Sequence, residues 1–276
     1  MKTKIKREFI KLLWDIFPKT VKIKINQRKF KIPLQYGLDH RVIKYNREIW
    51  MEYIIKLIYK HSKGAFIDVG ANAGQTLLKV QSIISPQEYI GFEPNAYCAG
   101  YVNEIIRVNH FENCTIFPIG LGDKDTILPL FCHNRSDPTG TVIENFRGPD
   151  PSLSKQLAII REAGKFIESL HVQGIAVVKI DVEGYESSVL SGFKEILQHK
   201  RPFVICEVLS THHPTHPSYA FRMKSRQICE DLLHEIDYSI FMVNENNGLE
   251  PCDQISNRST NYVFAPRERE NVLKSV

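Results

Sequence analysis

Residues 65–76 read AFIDVGANAGQT, which is a short apolar run, a loop with glycines at 70 and 74, and the start of a helical pattern. This order predicts a buried strand, a sharp turn and a helix whose free N–H groups face the turn. Asn72 and Gln75 stand where a dinucleotide-binding G-x-G-x-x-G fingerprint has its second and third glycines. The loop also lacks the Lys-Ser/Thr pair of a P-loop, so a pyrophosphate ligand is disfavoured.

The loop suits a ligand with an amino-acid moiety. Asp68, near the end of the predicted strand, offers negative charge to an ammonium group. The N-terminus of the following helix offers N–H groups to a carboxylate. A plain tight turn between a strand and a helix is the structural alternative.

Outward from this loop, predicted strands alternate with predicted helices. The strands are 65–69, 88–92, 114–119, 175–180, 203–208, 238–243 and 261–265, and the helices are 46–59, 75–84, 96–108, 186–198 and 222–233. This alternation predicts an α/β fold with a mainly parallel sheet, in which ligands bind beyond the carboxyl ends of the strands. Residues 132–170 do not fit the alternation and are interpreted as an insertion that lies over the ligand-binding face, at the carboxyl ends of the strands.

Acidic residues follow the second and third predicted strands. Glu93 lies roughly 20 residues beyond the glycine loop, where an acid can accept hydrogen bonds from both hydroxyls of a ribose. Asp123 follows Gly120-Leu121-Gly122 and could accept a hydrogen bond from the exocyclic amine of a base. The alternatives are a surface acid for Glu93 and an ordinary Gly-Asp turn for Asp123.

Three carboxylates lie together after the fourth predicted strand, at Asp181, Glu183 and Glu186. Such clustering is costly unless the carboxylates meet a cation, a metal or hydrogen-bond donors, and Lys179 offsets part of that cost. A position in the first turn of a helix explains Glu186 well and Asp181 poorly.

The fifth predicted strand is followed by Glu207 and by a loop with His212, His213 and His216. Histidines in this position can act as a general base or bind a metal, whereas a solvated polar loop is the more common structure.

The segments 66–74 (FIDVGANAG), 91–94 (GFEP) and 179–186 (KIDVEGYE) together resemble the FkbM-type family of S-adenosylmethionine-dependent methyltransferases. The resemblance covers residues 46–265 and departs from the family pattern between 150 and 172, where the family has a T-L-D-type segment and this sequence indicates a Lys/Glu-bearing helix. No acceptor-binding residue is therefore carried over from the family. It implies a class I methyltransferase, a Rossmann-like three-layer sandwich whose seven-stranded, mainly parallel sheet has an antiparallel last strand. It also implies O-methylation, often of a sugar or natural product, with S-adenosyl-L-methionine as cofactor.

The resemblance also implies roles for single residues. Asp68, Gly70, Asn72 and Gly74 would surround the methionine part of the cofactor, Glu93 would hold the ribose, Asp123 would lie near the adenine, and Asp181 would face the reaction centre. An alcohol acceptor is a poor nucleophile and needs a base. Asp181, Glu183, Glu207 or a histidine of the following loop could serve, and we expect Asp181 or His213. No metal is predicted.

Two other classes of function stay open at this stage. The first is a nicotinamide-dependent dehydrogenase, against which the absent fingerprint argues. The second is a non-catalytic binding or membrane-associated module that kept the fold. The Asn/Asp-Pro-Pro-aromatic motif of many amino-directed nucleic-acid methyltransferases is absent, so no nucleic-acid partner is expected, and the partner is a small-molecule or glycan hydroxyl acceptor.

The chain of 276 residues carries a formal charge of +5, but residues 1–31 hold 11 Lys/Arg and only two acids. We divide the chain into a basic extension, residues 1–45, with a helix and a β-hairpin, and a methyltransferase domain, residues 46–276. Residues 1–33 either contact a membrane surface or a nucleic acid, or dock on the main domain with the lysines solvated. The isolated cysteines, without C-x-x-C pairs, predict a reducing, cytoplasmic compartment. Membrane contact by residues 1–33 would place the protein at the inner face of a membrane.

Overall fold

The computed structural model describes residues 19–34, 38–43, 48–84, 88–137, 139–210, 214–244, 246, 248–257 and 260–274. The strands are β1 (Thr20–Ile25), β2 (Arg28–Pro33), β3 (Ala65–Val69), β4 (Tyr89–Phe92), β5 (Cys114–Phe117), β6 (Gly120–Gly122), β7 (Thr126–Cys132), β8 (Ser154–Glu162), β9 (Ile175–Ile180), β10 (Phe203–Glu207), β11 (Tyr238–Val243), β12 (Leu249–Cys252) and β13 (Asn261–Pro266). The helices are α1 (Asp39–Ile43), α2 (Ile49–His61), α3 (Gln75–Ile84), α4 (Ala96–Asn109), α5 (Ala163–Ser169), α6 (Glu186–Gly192), α7 (Lys194–Lys200) and α8 (Tyr219–Glu235), followed by a 3₁₀ helix at Arg267–Val272.

The central sheet has the strand order β12-β11-β13-β10-β9-β3-β4-β5. Strands β3, β4, β5, β9 and β10 are parallel, and β13 runs antiparallel between β10 and β11. This is the sheet implied by the resemblance, with the antiparallel last strand inserted as expected and with β12 added as an eighth strand at one edge. The fold is therefore that of a class I methyltransferase.

Helices cover both faces of the sheet, so the strands are apolar on both sides. Every residue of β3 and of β9 is buried, as expected for central parallel strands. One apolar core lies between the sheet and helices α2, α3 and α4, and a second lies between the sheet and helices α5 to α8. The result is the predicted three-layer arrangement.

The predicted β-hairpin is present as β1 and β2, and its apolar side packs on the main domain. Ile25, Phe30 and Ile32 are buried in the core formed with α3 and α4. The Tyr101 hydroxyl of α4 donates to the Pro33 carbonyl at 2.9 Å, and the Lys31 N–H donates to Asn109 Oδ1 at 2.7 Å. The helix predicted before this hairpin lies outside the described residues.

The insertion predicted at 132–170 forms, with the preceding residues, a three-stranded sheet of order β6-β8-β7. The Lys/Glu-bearing helix predicted between 150 and 172 is present as α5 (Ala163–Ser169), but the residues before it, Ser154–Glu162, form strand β8, which was not predicted. Ala158 and Ile160 point into a small core, while Leu157 and Ile159 are exposed. Because both faces of β8 carry apolar residues, its sequence does not show the alternation of apolar and polar residues that identifies a strand.

Candidate active site

A cleft of about 950 Å³, including its opening to solvent, lies at the carboxyl ends of β3, β4, β9 and β10 and is closed by the small sheet. Its size falls in the range of small-molecule sites. Its wall is formed by Val69, Gly70, Asn72, Phe92, Glu93, Pro94, Asn95, Gly120, Leu121, Leu130, Asp137, Thr139, Gly140, Val142, Ile160, Asp181, Val182, Glu183, Tyr185 and Glu207. The cleft is thus at the position that the strand order predicts for a ligand.

The glycine loop packs closely against the end of β9. Gly70 has a φ of +86°, and a Cβ atom added there would lie 1.9 Å from the Asp181 carbonyl oxygen. The Asp181 N–H donates to the Val69 carbonyl at 3.0 Å, and the Gly70 N–H donates to the Phe92 carbonyl at 2.9 Å. Only a glycine allows this conformation and this approach, so the loop joins β3, β4 and β9 at the floor of the cleft.

Glu93 lies in the wall of the cleft and holds the loop with both carboxylate oxygens. Its Oε2 accepts from the Asn72 N–H at 2.8 Å, and its Oε1 accepts from the Asn95 N–H at 2.9 Å. Burial raises the pKa of Glu93 to about 7, although these two N–H groups lower it. Each carboxylate oxygen has a further lone pair, so the side chain can still accept hydrogen bonds from a ligand.

A buried lysine joins three parts of the site. Lys179, on β9, places its Nζ 3.2 Å from Asp68 Oδ1, 3.3 Å from Asp181 Oδ2 and 3.2 Å from the Gly70 carbonyl oxygen. Burial alone would lower the pKa of Lys179, but the carboxylates of Asp181 and Asp68 raise it above its ordinary value. Burial raises the pKa of Asp68, against the effect of Lys179 and of the Tyr89 hydroxyl, which donates to Asp68 Oδ2 at 2.5 Å.

We expect Lys179→Met to destabilise the protein by roughly 3–5 kcal/mol, because it leaves a buried carboxylate without its cation. Burial raises the pKa of Asp68 in the folded protein, so the unfolded protein loses this proton at a lower pH than the folded protein does. The free energy of unfolding therefore falls as the pH rises, and the destabilisation by Lys179→Met should be larger at pH 8 than at pH 5. Urea unfolding at the two pH values measures it. The double variant Lys179→Met/Asp68→Asn should recover much of the stability, and an equal loss in both variants would contradict a role for the ion pair.

Three carboxylates form the acidic end of the cleft, namely Asp181, Glu183 and Glu207. Ile180 and Cys206 are paired in parallel strands, so Asp181 and Glu207 follow side by side. Burial and the neighbouring Asp181 raise the pKa of Glu207 to about 8. Glu183, by contrast, forms an ion pair with Arg147 at 2.5 Å.

The structure brings four of the predicted site residues together in the cleft wall, namely Gly70, Asn72, Glu93 and Asp181. Asp68 is fully buried behind the wall, and Gly74 lies at the start of α3, where its carbonyl accepts from the Leu78 N–H at 3.1 Å. Both support the loop rather than line the cleft.

Asp123 does not line the cleft. It is exposed, and its Oδ1 accepts a hydrogen bond from the Ser188 hydroxyl at 2.6 Å. Its neighbours Gly120 and Leu121 do line the cleft. His213 lies outside the described residues, and His216 bonds Ser218 instead of entering the cleft wall. In the part of the chain that the structure describes, no group of three His, Cys, Asp or Glu residues could hold a metal ion.

Sequence reasoning did not identify the apolar end of the cleft. Leu130 comes from β7, Val142 and Ile160 come from the insertion, and Leu121 comes from β6. These residues meet only because β8 pairs with both β6 and β7. The sequence did predict that residues 132–170 lie over the site, but it did not indicate which of their side chains line the cleft.

These features define a class I methyltransferase, a three-layer α/β sandwich with a cleft at the carboxyl ends of its parallel strands. The family model described as methyltransferase FkbM domain matches residues 68–237, which is more than half of the chain. The chain belongs to this family. The match confirms the resemblance and, with it, S-adenosylmethionine as the cofactor.

The chain is also similar to solved structures. One is methyltransferase FkbM from Methylobacillus flagellatus KT, with 15% identity, a TM-score of 0.46, and coverage of 74% of this chain and 43% of that chain. This chain thus spans less than half the length of that protein. Another is an O-methyltransferase from Bacillus cereus in complex with SAH, with 10% identity, a TM-score of 0.49, and coverage of 85% and 91%. A third is the O-methyltransferase TomG from Streptomyces achromogenes in complex with SAM, with 10% identity, a TM-score of 0.47, and coverage of 85% and 91%. No curated protein matches the chain.

Proposed function

We propose that the protein transfers a methyl group from S-adenosylmethionine to a hydroxyl group of a small-molecule acceptor, which is a sugar, a glycan or a natural product. The observation that carries this proposal is the paired carboxylates Asp181 and Glu207 at the acidic end of the cleft. An alcohol must lose its proton as the new bond forms, and a carboxylate with a raised pKa is suited to accept it.

The cleft residues fit the cofactor. Free lone pairs on Glu93 suit the two ribose hydroxyls, and the apolar walls of Leu121, Leu130 and Ile160 suit a flat base. The acidic end suits a cation, because carboxylates stabilise a positive charge that is partly removed from water. When bound, S-adenosylmethionine supplies an electrophilic methyl group on a sulfonium.

Asp68 and Gly74 support the glycine loop from behind in this proposal. We leave the adenine contact predicted for Asp123 out of it, because that side chain faces solvent and bonds Ser188.

We assign different roles to Glu207 and Asp181. Lys179 lies beside Asp181 and compensates its charge. No ion pair of Glu207 is seen among the described residues, and burial and Asp181 raise its pKa more than Lys179 lowers it, so we assign Glu207 as the base. In the reaction, a Glu207 carboxylate oxygen would accept the proton of the acceptor O–H, while the sulfonium would supply the methyl group to the acceptor oxygen and keep the electron pair of its carbon–sulfur bond. The charge of Asp181 helps to keep the pKa of Glu207 raised, and Asp181 and His213 remain the predicted alternative bases.

At saturating S-adenosylmethionine, so that the ionisation of Glu93 does not contribute, we expect kcat/KM for the acceptor to rise about tenfold per pH unit below pH 8 and to level off above it, because only the deprotonated base accepts a proton. Transfer of a labelled methyl group to a panel of sugars, glycans and polyols measures this profile. Glu207→Gln should lower kcat by roughly 10²–10⁴-fold and remove the break near pH 8.

Glu183→Gln is the matched control, since this carboxylate lies in the same cleft but is paired with Arg147. It should keep the break. A Glu207→Gln enzyme with the wild-type profile would contradict the assignment of the base. Methylation of amines but not of alcohols by the wild-type enzyme would contradict the proposed acceptor class.

The cysteines favour a cytoplasmic location for this activity. All six are free thiols, and five of them are buried. Buried free thiols are the usual state of cysteine in reducing compartments.

A further inference from the structure

The solvent face of the β1–β2 hairpin consists of lysines. Strand register places Lys22 directly opposite Lys31 and Lys24 directly opposite Lys29. All four side chains are exposed, whereas alternate residues of both strands point into the protein. We call this surface the lysine face and define it by these four residues.

The lysine face is unfavourable for the folded protein on its own. Cross-strand neighbours lie about 5 Å apart at Cβ, and like charges in this position destabilise a sheet. Residues 19–33 contain no acid. Within the described parts of the chain, none of the four lysines forms an ion pair that would offset the repulsion. A partner with negative charge would remove this cost.

We infer that the lysine face binds the surface of a membrane that contains anionic phospholipids. A lipid surface attracts basic residues through its averaged negative potential, which requires lysines on a flat exposed face and no shaped pocket. The apolar side of the hairpin is already buried on α3 and α4, so its exposed side is free to meet a charged plane.

Two observations favour a lipid surface over a nucleic acid. Proteins that bind single strands interleave aromatic side chains with basic ones, and the single aromatic residue of this hairpin, Phe30, is buried. The preceding sequence, residues 1–17, places Lys and Arg between apolar residues at helical spacing, a pattern typical of segments that lie on a membrane surface.

The hairpin lies away from the cleft, so its charges can be changed separately. Asn26 bonds Ser82, and the Arg28 guanidinium donates to the Gln81 carbonyl at 2.7 Å, both near the end of α3. The cleft lies beyond the opposite end of that helix, at the glycine loop. None of the four lysines lines the cleft.

The test compares two full-length variants that lose the same charge. The first carries Lys22→Gln, Lys24→Gln, Lys29→Gln and Lys31→Gln. The control carries Lys56→Gln, Lys124→Gln, Lys200→Gln and Lys224→Gln, four exposed lysines dispersed over the surface. Co-sedimentation is measured with vesicles of phosphatidylcholine alone and of equal parts phosphatidylcholine and phosphatidylglycerol. Phosphate buffer and a single-stranded RNA serve as competitors.

We expect wild type and control to bind the anionic vesicles at low salt and to be released at high salt. Each lysine near such a surface contributes roughly a factor of five in partitioning, so the lysine-face variant should bind about two orders of magnitude or more weaker. The melting temperature of the lysine-face variant should not fall, because the substitutions remove two repulsive pairs. An unchanged or higher melting temperature would show that the hairpin is intact.

Equal binding by the two variants would overturn the inference, as would absence of wild-type binding to the anionic vesicles. Release from vesicles by the RNA at low concentration, with tight binding of that RNA by the lysine face, would assign the surface to a nucleic acid instead. Release of the protein from the vesicles by phosphate, with the ionic strength held constant, would show that the lysine face binds free phosphate instead.

Discussion

Gly70→Ala should destabilise the protein by roughly 2–5 kcal/mol and abolish cofactor binding. The backbone at Gly70 has a φ of +86°, which costs a residue with a Cβ atom roughly 1–2 kcal/mol. The added methyl group would also lie 1.9 Å from the Asp181 carbonyl oxygen, a contact that requires the loop to move away from β9. Such overpacking adds about 1–3 kcal/mol.

Gly148→Ala separates these two causes. Gly148 also has a positive φ, +101°, but an added Cβ atom there would meet no atom within 4 Å. We therefore expect Gly148→Ala to lose only the stability that the unfavourable backbone conformation costs, and to keep its affinity for S-adenosylhomocysteine. Chemical unfolding and calorimetric titration measure the two effects. Similar losses in both variants would contradict the close packing of the glycine loop on β9.

Glu93→Ala should weaken the binding of S-adenosylhomocysteine at least ~100-fold, because the proposed role of Glu93 gives it two hydrogen bonds from the ribose hydroxyls to a charged acceptor, and both would be lost. The substitution also leaves the Asn72 and Asn95 N–H groups without their carboxylate partner, so part of the effect acts through the loop. Glu93→Gln keeps the size of the side chain and one acceptor oxygen. It should bind with an affinity between those of wild type and Glu93→Ala.

The pH dependence of the wild-type affinity is an independent check of the same carboxylate. The pKa of Glu93 is raised to about 7 by burial, so lowering the pH from 8 to 6 protonates it and should weaken the ligand. Glu93→Gln cannot titrate and should lose this dependence. An unchanged affinity in Glu93→Ala would show that the ribose is held elsewhere.

The sheet and the floor of the site could be predicted from local sequence. The segments 66–74 and 179–186 combine buried apolar strands with loops that only a few residue types permit, and each is continuous in the chain. Strand alternation then places their carboxyl ends at one edge of the sheet, so Gly70, Glu93 and Asp181 were expected to meet there. Their contacts in the structure agree with that expectation.

The parts that sequence did not predict depend on pairing between distant segments. Strand β5 ends at Phe117, and Gly120–Gly122 leaves the central sheet to pair with β8. That departure carries Asp123 to the surface, although its place in the sequence suggested a site residue. In the same way, the pairing of β7 with β8 brings Leu130 and Ile160 to the cleft, and neither segment indicates this alone.

Calorimetric titration of the wild-type protein with S-adenosylhomocysteine, with NAD as the control ligand, tests the central claim most directly. The claim is that this cleft holds S-adenosylmethionine for methyl transfer. We expect one site per chain for S-adenosylhomocysteine, lost or much weakened in Glu93→Ala, and no heat of binding with NAD. Binding of NAD, or no binding of S-adenosylhomocysteine by the folded protein, would contradict it.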